Sequence, residues 1–269
     1  MRTADPHLAR IAVYPIKSLD PLVRDRARIV ENAALEHDRE YAVVDGEGEY
    51  VNGKRTAAVH RVRADFDRDV TEVTLRRQGS RDGRTYGLPD ERGAAADWLG
   101  DHFGTDVRLI RDPEGGYPDD TDLSGPTLIS TGTVEEIASW YDLDPESVRL
   151  RFRANLEVGG VPPFWEDRLL SDRDHCVAVR IGDAELWGVN PCQRCVVPSR
   201  DPYTGAETEG FRETFLRKRE ETFPEWADPA RFDHYFRVMI NTLVPESEWG
   251  TELAVGDEIE ILGERPLNI

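Results

Sequence analysis

Apolar residues recur in short runs along the N-terminal part of the chain. Leu8 to Ile16 is nearly continuous and rich in β-branched residues, Leu22 to Val30 alternates, and Glu40 to Val44 runs into the turn-forming Asp45-Gly46-Glu47-Gly48. Val59 to Phe66 and Val70 to Leu75 alternate again. Short strands separated by closely spaced turns predict a small β-barrel. The period then changes: the alanines and the Trp98/Leu99/Phe103 face of Glu91 to Phe103 predict a helix, and Val107 to Ile110 predicts a further strand.

Arg111 to Gly125, RDPEGGYPDDTDLSG, has no period and is dense in Gly, Pro and Asp, as a domain linker or long surface loop would be. Beyond it the pattern predicts a strand at Thr127 to Ser130 and a helix from about Val134 to Tyr141, capped by Thr133 with Glu136 three residues on. A second short helix is opened by Asp144-Pro145-Glu146. Strands return at Cys176 to Ile181 and Ala184 to Val189 around a Gly182-Asp183 turn. Phe211 to Thr222 reads as a charged amphipathic helix, and Phe236 to Leu243 and Glu258 to Leu262 as closing strands. The expected fold is mixed α/β and β-rich, divided into an N-terminal β-barrel-like domain over residues 1–115 and a second domain over residues 116–269.

Composition narrows the function. The chain has 269 residues, 39% of them hydrophobic, enough for a buried core. No run approaches the ~18 apolar residues of a membrane span, and the start lacks a secretory signal, so a cytoplasmic location is expected. A formal charge of −19 argues against nucleic acid as a partner, because phosphate contacts need clustered positive charge. Lysine is confined to Lys17, Lys54 and Lys218, with arginine supplying the other basic residues. Acidic excess with scarce lysine fits a halophilic setting, where salt screens self-repulsion. No G-x-G-x-x-G follows a strand, so neither a nicotinamide nor a flavin fingerprint is present.

Candidate chemistry concentrates in Asn190 to Gly205, NPCQRCVVPSRDPYTG. Cys192 and Cys195 lack a second C-x-x-C or an H-x-x-x-H to complete a zinc site. A thioredoxin-like dithiol needs a helix directly behind it, and Val196-Val197-Pro198 cannot open a regular one. Two readings stay open on the residues alone. The cysteines are small apolar fillers, as Cys176 in its β-branched strand is, or Arg194 favours a thiolate ligand for a metal that arrives with an organic cofactor.

The chain resembles the MOSC-domain proteins with an N-terminal β-barrel, which include the mitochondrial amidoxime reducing component and its bacterial relatives. The similar stretches are Tyr14-Pro15-Ile16-Lys17-Ser18, Asp38-Arg39-Glu40-Tyr41, Arg151-Phe152-Arg153-Ala154-Asn155, Cys192-Gln193-Arg194-Cys195, Asp201-Pro202-Tyr203-Thr204-Gly205 and the closing Val255-Gly256-Asp257-Glu258-Ile259. The resemblance implies a second domain of MOSC β-barrel type with peripheral helices, and a molybdenum cofactor (Mo-molybdopterin) with Cys195 as the protein's metal ligand and Cys192 as a structural neighbour. It also implies cofactor contacts from Lys17, Ser18, Arg39, Arg153 and Asn155, with Arg194 orienting cofactor oxygens. The implied activity is reduction of a small N-hydroxylated compound, or an N-oxide or S-oxide, with electrons from a separate flavin, iron–sulfur or haem protein. Asp201 is a candidate for proton relay or for turn formation alone. The alternative is a non-catalytic carrier of molybdenum cofactor or sulfur. Relatives fused to cysteine desulfurases bring pyridoxal phosphate with that domain, for which this chain is too short and has no well-placed lysine.

Overall fold

The computed structural model describes residues 5–119 and 123–267. The N-terminal part forms β1 (His7–Val13), β2 (Leu22–Arg24), β3 (Arg26–Arg28), β4 (Tyr41–Asp45), β5 (Val62–Phe66), β6 (Glu72–Arg77) and β7 (Gly83–Gly87), then helix α1 (Arg92–Phe103) and β8 (Val107–Arg111). There follow β9 (Leu128–Ser130), α2 (Thr131–Tyr141), α3 (Pro145–Phe152), β10 (Leu156–Gly159), β11 (His175–Ile181) and β12 (Ala184–Gln193). The chain closes with α4 (Phe211–Glu221), β13 (Arg237–Leu243), β14 (Glu252–Ala254) and β15 (Ile259–Pro266). The fold is mixed α/β and strand-rich, as expected.

The largest sheet runs β15-β11-β12-β13-β9-β10-β1-β2. β1 pairs antiparallel with β10, with Ile11 opposite Leu156, and with β2 on its other side, so the first two strands extend a sheet otherwise built from strands after residue 127. The α2–α3 pair provides the crossover between the parallel strands β9 and β10. Smaller sheets join β5-β6-β7, β4-β8 and β3-β14. One core lies under the large sheet, around Leu8, Ile11, Leu156, Val179 and Leu186; another packs β4–β6 against Ala95, Ala96 and Leu99 of α1. No helix among the described residues is long and apolar enough to cross a membrane.

Three local expectations change. The cap of α2 is Ser130, whose hydroxyl accepts from Thr133 N at 3.1 Å, rather than Thr133. Thr133 is fully buried and instead accepts from Phe164 N and donates to Glu166. β12 continues past Val189 to Gln193, so Cys192 lies on the strand itself, and β10 follows directly on Asn155 in a stretch whose polarity hid it.

Thr133 is part of a buried polar cluster beneath the helices. Glu166 (1% exposed) and Asp167 (3%) sit side by side in a 3-10 turn, facing a fully buried Arg219 from α4. Arg219 pairs with Asp167 and lies over Phe164 at 4.0 Å. Glu166 has no cation of its own, only its backbone N–H and hydroxyls: burial and then the neighbouring Asp167 push its carboxyl up to about 7. The native state therefore holds a proton that the unfolded chain releases near pH 4.5. The stability contribution of this group is fully present below pH 4.5 and is lost as pH rises through about 7. Glu166→Gln is expected to stabilise the chain at pH 8 by about 1–2 kcal/mol after allowance for the imperfectly bonded amide, read as a higher thermal midpoint, and to have little effect at pH 4.5. Melting curves at the two pH values check it.

Candidate functional site

A cavity of about 430 Å³ opens where the first strands meet the loop after β12. That volume is within the usual range for a small-molecule or cofactor site. Its wall contains Lys17, Ser18, Arg39, Arg153, Asn155, Arg194 and Cys195, together with Cys192, Lys54, Arg63 and Met239. The four stretches around Lys17, Arg39, Arg153 and Cys195 thus converge, joined by residues from elsewhere along the chain. Asp201 is not part of the wall, although its neighbour Pro202 is.

The wall is conformationally strained. Ser18 (φ 73°), Arg39 (φ 56°), Arg153 (φ 60°) and Met239 (φ 72°) all adopt the left-handed region that L side chains avoid, at a cost of about 1–3 kcal/mol each. Arg153 is the clearest case. It caps α3, its N–H donating to Arg149 O at 2.8 Å, in a position that ordinarily goes to glycine. A residue other than glycine is strained there, and the contact the Arg153 guanidinium makes with the Tyr14 ring offsets only part of that cost.

The cations differ in what they already hold. The Arg153 guanidinium lies 4.0 Å from the centre of the Tyr14 ring and has no hydrogen bond or ion pair among the described residues; burial lowers its pKa. Arg39 stacks on the same ring at 5.3 Å and pairs with Asp38. Lys17, 7% exposed, spends its ammonium on Tyr117 O, Pro118 O and Asp119 Oδ1. The Ser18 hydroxyl has no hydrogen bond among the described residues, nor does Lys54 have an ion pair there.

Asn155 lines the cavity, but its side chain is committed to the fold. Oδ1 accepts from Thr127 N and Oγ1, and Nδ2 donates to Ala12 O at 3.1 Å, tying β10 to β1. Arg194 is turned to the other cysteine: Nη1 donates to Cys192 Sγ at 3.1 Å and Nη2 to Phe152 O at 2.9 Å. Cys195, partly buried and free of any disulfide, has no such donor. The Asp201 carboxylate accepts from Tyr203 N, Thr204 N and Thr204 Oγ1, which is turn geometry. Partial burial raises its pKa, but these bonds more than compensate and hold it below the usual carboxylate range.

The turn has its own anchors. Gly205 (φ +73°) lies so close to Ala57 that an added Cβ would come within 2.6 Å of the Ala57 carbonyl oxygen. Arg61 and Arg63 hold Thr204 O and Pro202 O from the N-terminal side. Arg151, 2% exposed, donates to Pro198 O at 2.8 Å and Arg200 O at 2.7 Å. Arg151 therefore fixes the segment following Cys195, a role that adjacency to Arg153 in sequence did not reveal.

Residues 6–88 match the MOSC N-terminal beta barrel domain and residues 127–260 match the MOSC domain. The chain is 25% identical over 251 residues to a molybdenum cofactor sulfurase of Caenorhabditis briggsae, covering 85% of this chain and 34% of that protein. It is 26% identical over 291 residues to the molybdenum cofactor sulfurase of Drosophila grimshawi, covering 96% of this chain and 35% of that one. The chain thus spans about a third of the length of these relatives. A crystal structure of the YUAD protein from Bacillus subtilis aligns over 96% of both chains with a TM-score of 0.40 and 12% identity, too distant a likeness to carry an argument.

Proposed function

Because the chain belongs to the MOSC-domain proteins, we propose that it binds the molybdenum cofactor and acts as an oxidoreductase on small N-hydroxylated compounds or N- or S-oxides, with electrons from a separate flavin, iron–sulfur or haem protein. The observation that supports this best is Arg153, held in a strained cap on the wall of the cavity that also contains Cys195, with no hydrogen bond or ion pair to its guanidinium among the described residues. An open guanidinium, a free hydroxyl at Ser18 and a thiol without a competing donor suit a phosphate-bearing pterin whose metal takes one protein sulfur. When bound, that group would supply the two-electron redox chemistry.

The chain's own residues position and shield. Cys195 offers its sulfur, while Arg153, Ser18, Arg39 and Lys17 meet the anionic end. Asn155 holds β10 against β1 so that Arg153 keeps its place, and Arg194 holds Cys192 apart. We assign Asp201 to closing the turn rather than to moving a proton. The second reading, a non-catalytic carrier of cofactor or sulfur, draws on the name of the relatives, molybdenum cofactor sulfurase, which ties them to sulfur and this cofactor.

Viologen-driven turnover of metal-loaded protein on an amidoxime, a hydroxylamine and a sulfoxide separates the two. The oxidoreductase reading expects reduction of at least one of them. Retained metal with no turnover on any would leave the carrier.

A further inference from the structure

Lys17 is among the cations expected to meet the ligand's phosphate, yet it is already saturated. An ammonium has three donors, and all three are used: 2.7 Å to Tyr117 O, 3.1 Å to Pro118 O and 2.9 Å to Asp119 Oδ1. The three acceptors come from one short segment, which is itself fastened by Tyr117 N donating to Arg39 O at 2.8 Å. Only Asp119 brings negative charge. The two partners also differ in burial, since the Lys17 side chain is 8% exposed and that of Asp119 is 62% exposed.

That asymmetry has a consequence. A ligand anion cannot reach Lys17 with its full bonding capacity until one of the three acceptors leaves. The two carbonyls are backbone, held by the Tyr117–Arg39 bond, whereas the Asp119 carboxylate can turn into water and recover its hydration at little cost. Asp119 is therefore the group that gives way. Its departure leaves a buried ammonium without a counter-charge, so the incoming anion must replace a carboxylate at that point. An anion of equal charge and weaker bonding gains nothing by the exchange. A phosphate dianion gains, because it brings a second charge for Arg39, Arg153 and Lys54 in the same wall, the last two without an ion pair among the described residues.

We propose that Asp119 is a selectivity residue: it is the resident counter-ion of Lys17, displaced by a phosphate dianion and not by monoanions such as acetate or chloride. This rests on the reading of the cavity as the site of a phosphate-bearing ligand, and adds to it the way in which the site rejects other anions.

The test uses the full chain made in cells that do not synthesise molybdenum cofactor, with inorganic phosphate as the probe in calorimetric titrations. Asp119→Ala is expected to bind phosphate about tenfold more tightly than the natural chain, the effect of removing one competing charge-assisted hydrogen bond, with Asp119→Asn in between. Acetate is expected to compete with phosphate in the Asp119→Ala variant and not in the natural chain. Equal phosphate affinities in all three, within twofold, overturn the role of Asp119 and leave the cavity as a phosphate site. No phosphate binding by any of them overturns both.

Discussion

Cys195→Ser is expected to reduce bound molybdenum and reductase turnover to background, while Cys192→Ser retains most of the metal. Both sulfurs line the same cavity, so position alone does not separate them. Their partners do. Cys192 lies at the end of β12 and its sulfur accepts from Arg194, whose other nitrogen is tied to Phe152 O. That sulfur is held by the fold. Cys195 follows the strand, has no guanidinium on its sulfur, and leads into a segment clamped by Arg151, so its thiol is presented rather than packed. Serine keeps the size of the side chain while removing the soft thiolate that a metal of this type prefers. Metal content by plasma emission and turnover with reduced viologen read the result; loss of metal in the Cys192 variant with retention in the Cys195 variant would reverse the assignment.

Arg153→Gly should make the protein more stable and less able to hold its cofactor. Glycine adopts the left-handed cap of α3 without the side-chain penalty, a gain of about 1 kcal/mol, of which loss of the contact with Tyr14 returns a part. Because no described residue pairs with the guanidinium, its removal strands no carboxylate among the described residues. The same change removes the open cation on the cavity wall, and cofactor retention is expected to fall at least about a hundredfold, as for loss of a bidentate phosphate contact. A chemical denaturation midpoint and the pterin content of the purified variant give the two readings. Opposite movements support a residue maintained for binding at a cost to the fold. A destabilised variant with unchanged pterin would make Arg153 a structural residue.

Much of this was legible in the chain before any coordinates. Short β-branched runs with turn residues at close spacing locate β1, β4, β6 and β8 to within a few residues, because period and turn chemistry are local. Asp144-Pro145 marks the start of α3 for the same reason, and Asp144 does cap it. What escaped is set by contacts distant in sequence. β10 is only four residues long and is buried on both faces, with Glu157 answering Arg149 of α3, so its brief alternation is too short to announce it. Thr133 looks like a cap until Ser130 and Phe164 claim it. The order of the large sheet, with β1 next to β10, depends on pairing across some 140 residues, which no local pattern encodes.

The candidate site divides in the same way. The stretches around Lys17, Arg39, Arg153 and Cys195 were visible as motifs, and they do meet at one cavity. The state of each residue was not visible. That Asn155 is consumed by Thr127 and Ala12, that Arg194 faces Cys192, and that Asp119 covers Lys17 follow from where side chains go once the strands are laid side by side. Arg151 opened one of those motifs with no sign of its role, and Asp119 carried no signal beyond membership of an acidic loop.

The central claim is that this cavity holds a molybdenum pterin through Cys195. Its most direct test is the molybdenum and pterin content of the chain purified from a cell that makes the cofactor, measured side by side with Cys195→Ser. The account predicts metal and pterin close to equimolar with the natural chain, and metal at background in the variant. A folded natural chain that carries neither would contradict it.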